Sequence, residues 1–521
     1  MTKHEKFLQE MQERYQFEGE SIILGAAMLD GEYMTETFVR LPLRTFNRHG
    51  LIAGATGTGK TKTLQIIAEQ LSAKGVPSLV MDIKGDLSGV AVESAGHPKI
   101  DQRHERIGLP FIPDTSPVEF LTLSDEQGVR LRATVSEFGP VLFSKMLGLN
   151  ETQEGIVAVL FKYCDDHDLP LLDLKDFKKV LQYSTMEGKE EIEMEYGRIS
   201  SASVGAIMRR IVELEQQGGD LFFGERSLDI DDLMRTDRNG KGVINILRLT
   251  DIQDRPKLFS TFMLQILAEI YTRMPEEGDL DKPKFVFFID EAHLVFEEAS
   301  DALMDQIEVI VKLIRSKGVG IFFITQNPTD IPEEVLSQLG MKIQHALRAF
   351  TAKDRRNIRL TAENYPLTEF YQTDQLLTKL GIGEALVTAL NDKGIPTPLV
   401  HTYLRAPQSR MDILTPGEID AIISRSQLID KYNEEIDRES AYEILGGKIE
   451  AAREEAHRDE MHRQRESGRR TSRRREKSIW ESTTTRQIGR TVARELTRGL
   501  LGVLGVKTTR RRRRSSIKLP W

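Results

Sequence analysis

Residues 47–65 read NRHGLIAGATGTGKTKTLQ, and residues 54–61 within them match the phosphate-loop pattern G-x-x-x-x-G-K-[ST]. The apolar run Gly50–Ala53 before the loop predicts a short buried strand. After Thr61, apolar residues recur at helical spacing and predict a helix. Strand, glycine loop and helix in this order are the context in which the pattern binds phosphates. The sequence therefore predicts a nucleotide site on an α/β sheet.

The residue types of the loop suit phosphate binding. Glycines let the backbone approach an anion closely, and successive N–H groups at the start of a helix point toward it. Lys60 is expected to reach the β- and γ-phosphates, and the Thr61 hydroxyl is expected to ligate Mg²⁺. The residues that we expect to surround the nucleotide are Gly54, Ala55, Thr56, Gly57, Thr58, Gly59, Lys60, Thr61 and Lys62.

Carboxylates at strand ends predict the rest of the site. The apolar run 284–289 (KFVFFI) is followed by Asp290, which would hold Mg²⁺, and Glu291, which would orient the attacking water. Asp82 ends another apolar run, 76–82, and is a further candidate because ligands of open α/β sheets bind at the carboxyl ends of strands. Gln326 follows the run 318–325 and is placed to sense the γ-phosphate, although a loop-capping role is also open.

Three arginines are candidates for neutralising the negative charge of the nucleotide phosphates. Arg315 ends the predicted helix 302–316 and could reach the nucleotide of a neighbouring subunit as an arginine finger. A cation favoured by the helix dipole is an equally good interpretation of Arg315. Arg48 and Arg348 are weaker candidates for the same duty.

The charge of the chain is divided unequally. The 521 residues carry a formal net charge of −8, with one cysteine, and no apolar run reaches the length of a membrane span. Residues 446–521 contain 22 Lys and Arg against nine Asp and Glu, whereas residues 1–445 contain 50 against 71. We expect a cytoplasmic protein with an acidic body and a basic tail.

Composition and pattern divide the chain into six segments. They are an amino-terminal arm with short strands (1–46), the first part of the sheet core (47–135), an α-helical insertion (136–240), the second part of the core (241–405), a helical segment (406–445) and the basic tail (446–521). Residues 92–113 are predicted to be loop, and the last strand is predicted at residues 397–400.

The basic tail contains a predicted amphipathic helix, residues 485–504, followed by five consecutive arginines at 510–514. Such a helix is suited to nucleic-acid phosphates, to an anionic membrane surface or to a partner helix. A disordered tail, or one docked on the acidic body, is equally consistent with the pattern. Only Trp480 and Trp521 accompany the arginines as large aromatics, which disfavours a base-stacking platform.

The segments GATGTGKT, FVFFIDEAH and GVGIFFITQNPTDIPEEVLSQLG, with VMDIKGDLSG, together resemble the HerA/FtsK class of phosphate-loop ATPases, and within it the bacterial HerA-like group. The resemblance covers roughly residues 20–405. It implies a RecA-like sheet with an additional strand, flanked by helices, and hydrolysis of ATP with Mg²⁺. A hexameric homo-oligomer with sites between subunits is also implied.

Carried over by position, the resemblance makes Lys60 and Thr61 the phosphate-loop pair and Asp290 and Glu291 the Walker B pair. Gln326 becomes the sensor, and Arg315 the intersubunit arginine. HerA proper carries an amino-terminal β-barrel where this sequence has about 50 residues before the loop, so the nuclease partnership of HerA is not carried over.

These features lead to an ATP-driven DNA translocase or helicase-type motor as the first functional hypothesis. A secretion- or membrane-associated ATPase pump of the same class is the second. The third is a nucleotide-dependent switch or scaffold that uses the basic tail for docking. The residues alone leave DNA, RNA and protein open as the client.

Overall fold

The computed structural model describes residues 1–250, 255–278, 280–297, 301–434, 436 and 438–474. The chain divides into a compact unit, Met1–Ile449, and a second unit, Glu450–Trp521, whose described residues are helical. The predicted amphipathic helix 485–504 and the arginines 510–514 lie outside the described residues.

One mixed sheet organises the compact unit. Over the described residues, twelve strands join it in the order β2-β1-β12-β11-β10-β3-β9-β8-β4-β7-β5-β6. The strands are β1 (Ser21–Leu29), β2 (Glu32–Pro42), β3 (Gly50–Ala53), β4 (Ser78–Asp82), β5 (Val118–Thr122), β6 (Val129–Arg130), β7 (Ile244–Arg248), β8 (Phe285–Ile289), β9 (Val319–Thr325), β10 (Met341–Gln344), β11 (Glu384–Thr388) and β12 (Val400–Leu404).

Helices cover the sheet and fill the connections. The α-helices are α1 (Lys3–Arg14), α2 (Lys60–Ala73), α3 (Pro98–Ile107), α4 (Val135–Met146), α5 (Glu151–Asp166), α6 (Leu174–Thr185), α7 (Lys189–Tyr196), α8 (Ser201–Gln216), α9 (Gly219–Phe222), α10 (Ile230–Leu233), α11 (Pro256–Arg273), α12 (His293–Glu297), α13 (Asp301–Ile314), α14 (Glu333–Leu336), α15 (Ala352–Glu363), α16 (Thr373–Lys379), α17 (Pro416–Ile423), α18 (Leu428–Tyr432) and α19 (Ala441–Arg474).

The centre of the sheet is parallel. Strand β9 lies between β3, which leads into the phosphate loop, and β8, which carries the two carboxylates. This is the additional strand of the predicted RecA-like arrangement, so the predicted fold class is confirmed. From β10 outward, the strands β11, β12, β1 and β2 pair antiparallel.

Burial on both faces explains the apolar runs. Every residue of β3, β8 and β9 is buried, as expected for parallel strands covered by helices on both sides. Successive side chains belong to different cores, since Leu51 and Phe287 pack in one cluster and Ile52 and Phe288 in the other. Each strand therefore binds two helical layers together.

The segment predicted as a helical insertion contains helices α4 to α10, and its described residues contribute no strand to the sheet. It has no separate core, because Phe143 and Phe177 belong to the same buried cluster as Leu79 and Phe287 of the sheet. The insertion thus packs directly on one face of the sheet.

Two predictions of secondary structure were wrong. Residues 92–113 contain helix α3, because Pro98 occupies its first turn and the His97 ring accepts a hydrogen bond from the Lys99 N–H at 3.1 Å. Proline at this position starts a helix and does not interrupt one. The last strand begins at Val400, three residues later than predicted, since the Thr397 hydroxyl accepts the Ala389 N–H where a strand would use a carbonyl. Among the described helices, none is long and apolar enough to cross a membrane.

The close packing of β9 against the segment before β3 can be tested by substitution. A Cβ on Gly320 would lie 2.3 Å from the Phe46 carbonyl oxygen, so we expect Gly320→Ala to lower the free energy of unfolding by about 1–3 kcal/mol. Gly155, inside α5, is the matched control, because a Cβ added there would meet nothing within 4 Å. Gly155→Ala should raise the free energy of unfolding by about 0.5–1 kcal/mol. Urea titration of both variants measures the difference, and equal stabilities would contradict the packing.

Candidate nucleotide-binding site

The carboxyl ends of neighbouring parallel strands bring the predicted site residues to one edge of the sheet. Ala53 pairs with Thr325, so Gly54 and Gln326 leave the sheet at the same level. Strand β8 follows β9 and delivers Asp290, while Met81 pairs with Ile289 and sets Asp82 level with Asp290. Four segments far apart in sequence therefore meet at one edge.

The phosphate loop is a backbone cradle held from both sides. The Gly54 N–H donates to the Thr325 carbonyl at 3.2 Å, and the Ala55 N–H donates to the Ala346 carbonyl at 2.8 Å. Gly54 and Gly59 have φ of 152° and 111°, and a Cβ on Gly54 would lie 2.5 Å from the Cβ of His345. Any residue larger than glycine at these two positions would disrupt this cradle. Helix α2 begins directly after it.

Lys60 lies inside the cradle. Its Nζ donates to the carbonyls of Gly54 at 2.7 Å and Ala55 at 3.3 Å. Burial lowers the pKa of the ammonium group, and the carboxylates of Glu291 and Asp290 oppose that effect. Thr61 follows in the first turn of α2, half-buried. The Lys62 Nζ bonds the Gln65 side chain and the Met411 carbonyl, outside the cradle.

Asp290 has the chemistry of a ligand for a hard cation. Its Oδ1 accepts the Glu291 N–H at 3.0 Å, whereas Oδ2 is buried and has no hydrogen-bond partner among the described residues. Burial raises the pKa of Asp290 to about 7, and the charge of Glu291 adds to the shift. A buried carboxylate oxygen without a partner, at the sheet edge that carries the phosphate loop, fits Mg²⁺, which prefers oxygen ligands. Asp290 and Thr61 would hold that ion.

Glu291 is buried at the end of β8, and two side chains lie close to its carboxylate. It forms an ion pair with Lys84, and its Oε2 lies 3.3 Å from Nδ1 of His293. Its backbone has a φ of 47°, an uncommon left-handed conformation for a residue with a side chain. The carboxylate is thereby turned toward the strand end of β4.

Asp82 holds the loop that follows β4. Its carboxylate accepts the N–H groups of Gly85 at 2.7 Å, Asp86 at 3.3 Å and Leu87 at 3.2 Å. Burial raises the pKa of Asp82 to about 6, with Asp86 adding to the shift. In this structure Asp82 shapes the loop that carries Lys84, and direct contact of Asp82 with nucleotide stays a prediction.

Gln326 is exposed at the tip of β9, beside the edge that carries the loop and the acids. The turn after it is fixed by Asp330, whose Oδ2 accepts the Thr325 hydroxyl at 2.7 Å and the Asn327 N–H at 3.0 Å. The predicted placement of Gln326 therefore agrees with the structure, and its sensing role stays a prediction.

Arg48 and Arg315 lie at the opposite edge of the sheet. Arg48 precedes β3 and its carbonyl accepts the Gly340 N–H at 2.9 Å, while Arg315 precedes β9 and is exposed. The four residues of β3 alone separate Arg48 from the loop by about 13 Å. Neither arginine joins the nucleotide site of its own chain, so a nucleotide role for either requires a second subunit.

Two functional candidates were missed in the sequence. Lys84 stands two residues beyond Asp82, at the ligand-binding edge of a strand, and that position was the available signal. His345 directly follows β10, and its ring lies beneath the loop, where Nε2 and the Thr63 hydroxyl are 2.9 Å apart. Burial lowers the pKa of His345 to about 3, with Lys60 adding to the shift, so the ring is neutral.

A cavity of about 410 Å³ continues the site along one face of α2. Gly59, Thr63 and Ile66 line one wall. Arg103 of α3 lines another, where its guanidinium donates to the carbonyls of Gly383 at 3.1 Å and Leu404 at 2.8 Å. The cavity therefore adjoins the last glycine of the phosphate loop.

A glycine cradle, a buried lysine and an acid-tipped strand separated from the cradle strand by one additional strand, all on a RecA-like sheet, define a phosphate-loop nucleotide-binding protein. The family model for the helicase HerA-like C-terminal region matches residues 28–512. The chain belongs to this family, which confirms the resemblance.

Similarity to individual proteins is more distant. The DNA double-strand break repair helicase HerA of Sulfolobus acidocaldarius is 22% identical over 358 residues, and that of Sulfurisphaera tokodaii is 25% identical over 359. Each match covers 67% of this chain and 64% of the relative. The plasmid coupling protein TrwB, in complex with a non-hydrolysable ATP analogue, has the same fold with a TM-score of 0.52 and 13% identity, covering 78% of this chain and 94% of TrwB.

The role of Asp82 in shaping its loop leads to a stability test. Asp82→Asn replaces one accepting oxygen by a donor that faces a buried N–H, so we expect the free energy of unfolding to fall by about 1–3 kcal/mol. Asp86→Asn, in the same loop, is the control, because its side chain is only half-buried. Urea titrations compare the two variants. A stability of Asp82→Asn equal to that of the control would remove the structural role.

Proposed function

We propose that this protein hydrolyses ATP with Mg²⁺ and uses the energy to move along DNA. The observation that supports hydrolysis is the alignment of the loop, Asp290 and Glu291 at one edge of the sheet. A binding module needs the cradle alone, whereas the acid pair supplies a cation ligand and a proton acceptor.

Each residue of the site has a part in the proposed reaction. The loop amides and Lys60 neutralise the phosphates. Thr61 and Asp290 would hold Mg²⁺, which would supply further positive charge there. Glu291 accepts a proton from the attacking water as the water oxygen bonds to the γ-phosphorus. The bond from that phosphorus to the bridging oxygen breaks, and the oxygen leaves with ADP. The cavity beside α2 would receive the base.

A basic surface beside the site supports a polyanionic client. Residues 348–359 contain Arg348, Lys353, Arg355, Arg356 and Arg359, all of them exposed. The single acid of this segment, Asp354, accepts the N–H groups of Phe350 and Thr351 and so caps helix α15. The Phe350 side chain is 86% exposed. On a body with an excess of acids, such a patch attracts phosphate backbones.

The relatives and the opposite sheet edge support the remaining parts of the proposal. The HerA relatives are named as DNA helicases, and this chain spans 64% of their length. We propose a ring, with six subunits as in the predicted class, because the exposed Arg315 lies at the sheet edge away from the loop, where it could face a neighbouring subunit. The cytoplasmic location also remains a prediction. If the clients were proteins, as in a secretion pump, DNA would leave the ATPase rate unchanged.

Hydrolysis is tested by removing the proton acceptor. Glu291→Gln keeps the size of the side chain and loses its basicity, so we expect kcat to fall by about 100-fold or more while ATP still binds. Steady-state phosphate release and equilibrium binding of ATP measure the two quantities. Gln338→Glu, a surface exchange of the same pair of side chains, is the control. Wild-type turnover in Glu291→Gln would contradict the assignment.

The DNA surface is tested by reversing adjacent arginines. The variant Arg355→Glu/Arg356→Glu should weaken DNA binding about tenfold or more near 0.1 M salt, and should reduce the salt dependence of binding. The control is Arg209→Glu/Arg210→Glu, an exposed adjacent pair in α8. DNA titrations at several salt concentrations, with ATP binding as a folding check, compare them. Equal losses in both variants would show only an effect of net charge.

A further inference from the structure

Lys84 is a second lysine at the nucleotide site, and it contacts the residue that the proposed reaction needs free. Its ammonium group pairs with the Glu291 carboxylate, whose side chain is only 6% exposed, whereas the Lys84 side chain is 40% exposed. In this structure the ammonium group therefore occupies the carboxylate that the proposed reaction would present to water.

The position of Lys84 is built into the fold. Strands β4 and β8 are neighbours, so the residues after Asp82 and after Ile289 emerge side by side. The three N–H groups bound by Asp82 fix the turn after Lys84. Gly85 completes that turn with a φ of 72°, and a Cβ there would lie 2.9 Å from the Thr250 methyl group. The loop is thereby held with Lys84 directed at β8.

Lys84 also differs from the other lysines of the site in what its ammonium group contacts. Lys60 is occupied by the carbonyls of its own loop, and Lys62 is directed toward Met411. Glu291, by contrast, pairs with Lys84, and the N–H of the next residue, Ala292, donates to the Ile324 carbonyl at 2.9 Å. Burial acts to lower the pKa of Lys84, but the hydrogen bond and charge of Glu291 outweigh it and raise the pKa. Lys84 is therefore a cation throughout the neutral range.

We propose that Lys84 is a positioning residue that pairs with Glu291 when no terminal phosphate is present and moves to that phosphate when ATP occupies the site. The inference rests on the proposed ATPase function. Transfer of Lys84 leaves the Glu291 carboxylate free beside the attacking water. ADP lacks the terminal phosphate, so Lys84 stays on Glu291. The ion pair thus acts as a gate that distinguishes ATP from ADP.

The first test compares the binding of two nucleotides, which requires no turnover. Lys84→Met removes the charge and keeps the length of the side chain. We expect it to weaken binding of a non-hydrolysable ATP analogue about tenfold, with ADP affinity unchanged. Lys84→Arg should retain the preference for the ATP analogue. Lys74→Met, a surface lysine paired with Glu20, is the control. If Lys84→Met leaves the ratio of the two affinities unchanged, either because neither changes or because both fall equally, the proposal is overturned.

The second test asks whether Lys84 and Glu291 are coupled in the absence of nucleotide. Lys84→Met should lower the urea midpoint of the wild type but leave that of Glu291→Gln unchanged, because the partner charge is already lost there. Additive shifts would overturn the ion-pair gate. A wild type that binds ATP without hydrolysing it would contradict the proposed function, whereas the two binding and stability comparisons would still decide the role of Lys84.

Discussion

Parallel pairing of β3, β9, β8 and β4 is the constraint on which the rest of this molecule depends. Parallel neighbours end at a common edge, so residues at their tips meet whatever their distance in sequence. The strands are too buried to slide, because a shift of one residue would exchange the side chains facing the two cores. Packing of Leu51 and Ile52 on opposite faces therefore also fixes the relative heights of the loop and the acids.

Electrostatics at that edge reflect the same constraint. Three carboxylates, those of Asp82, Asp290 and Glu291, are buried close together. Their burial is energetically unfavourable unless cations or hydrogen-bond donors pair with them. Backbone N–H groups bond to Asp82, and Lys84 pairs with Glu291. One oxygen of Asp290 has no hydrogen-bond partner in the part of the chain that the structure describes. The burial of these carboxylates would be unfavourable elsewhere, but here it leaves the site ready to bind a cation and a phosphate group.

Much of the fold was predictable because parallel strands are apolar throughout and end in polar residues. The runs ending at Ala53, Ile289 and Thr325 needed only composition and spacing, and the loop and its acids followed from them. Helix α3 was missed because proline was interpreted as a breaker, although its position relative to His97 decides its effect. The position of Lys84 after β4 was available from the sequence, but its ion pair with Glu291 could not be predicted, since contacts between strand tips depend on strand order.

The hydrogen bond between the Ala55 N–H and the Ala346 carbonyl joins the cradle to the chain just before Arg348. The peptide N–H of Ala55 belongs to the phosphate loop, and the carbonyl that it bonds lies two residues before Arg348. This backbone hydrogen bond of 2.8 Å includes no flexible side chain, so it allows the two segments almost no independent movement. A movement of the loop around phosphates would therefore be transmitted through this hydrogen bond to the segment that begins at Arg348.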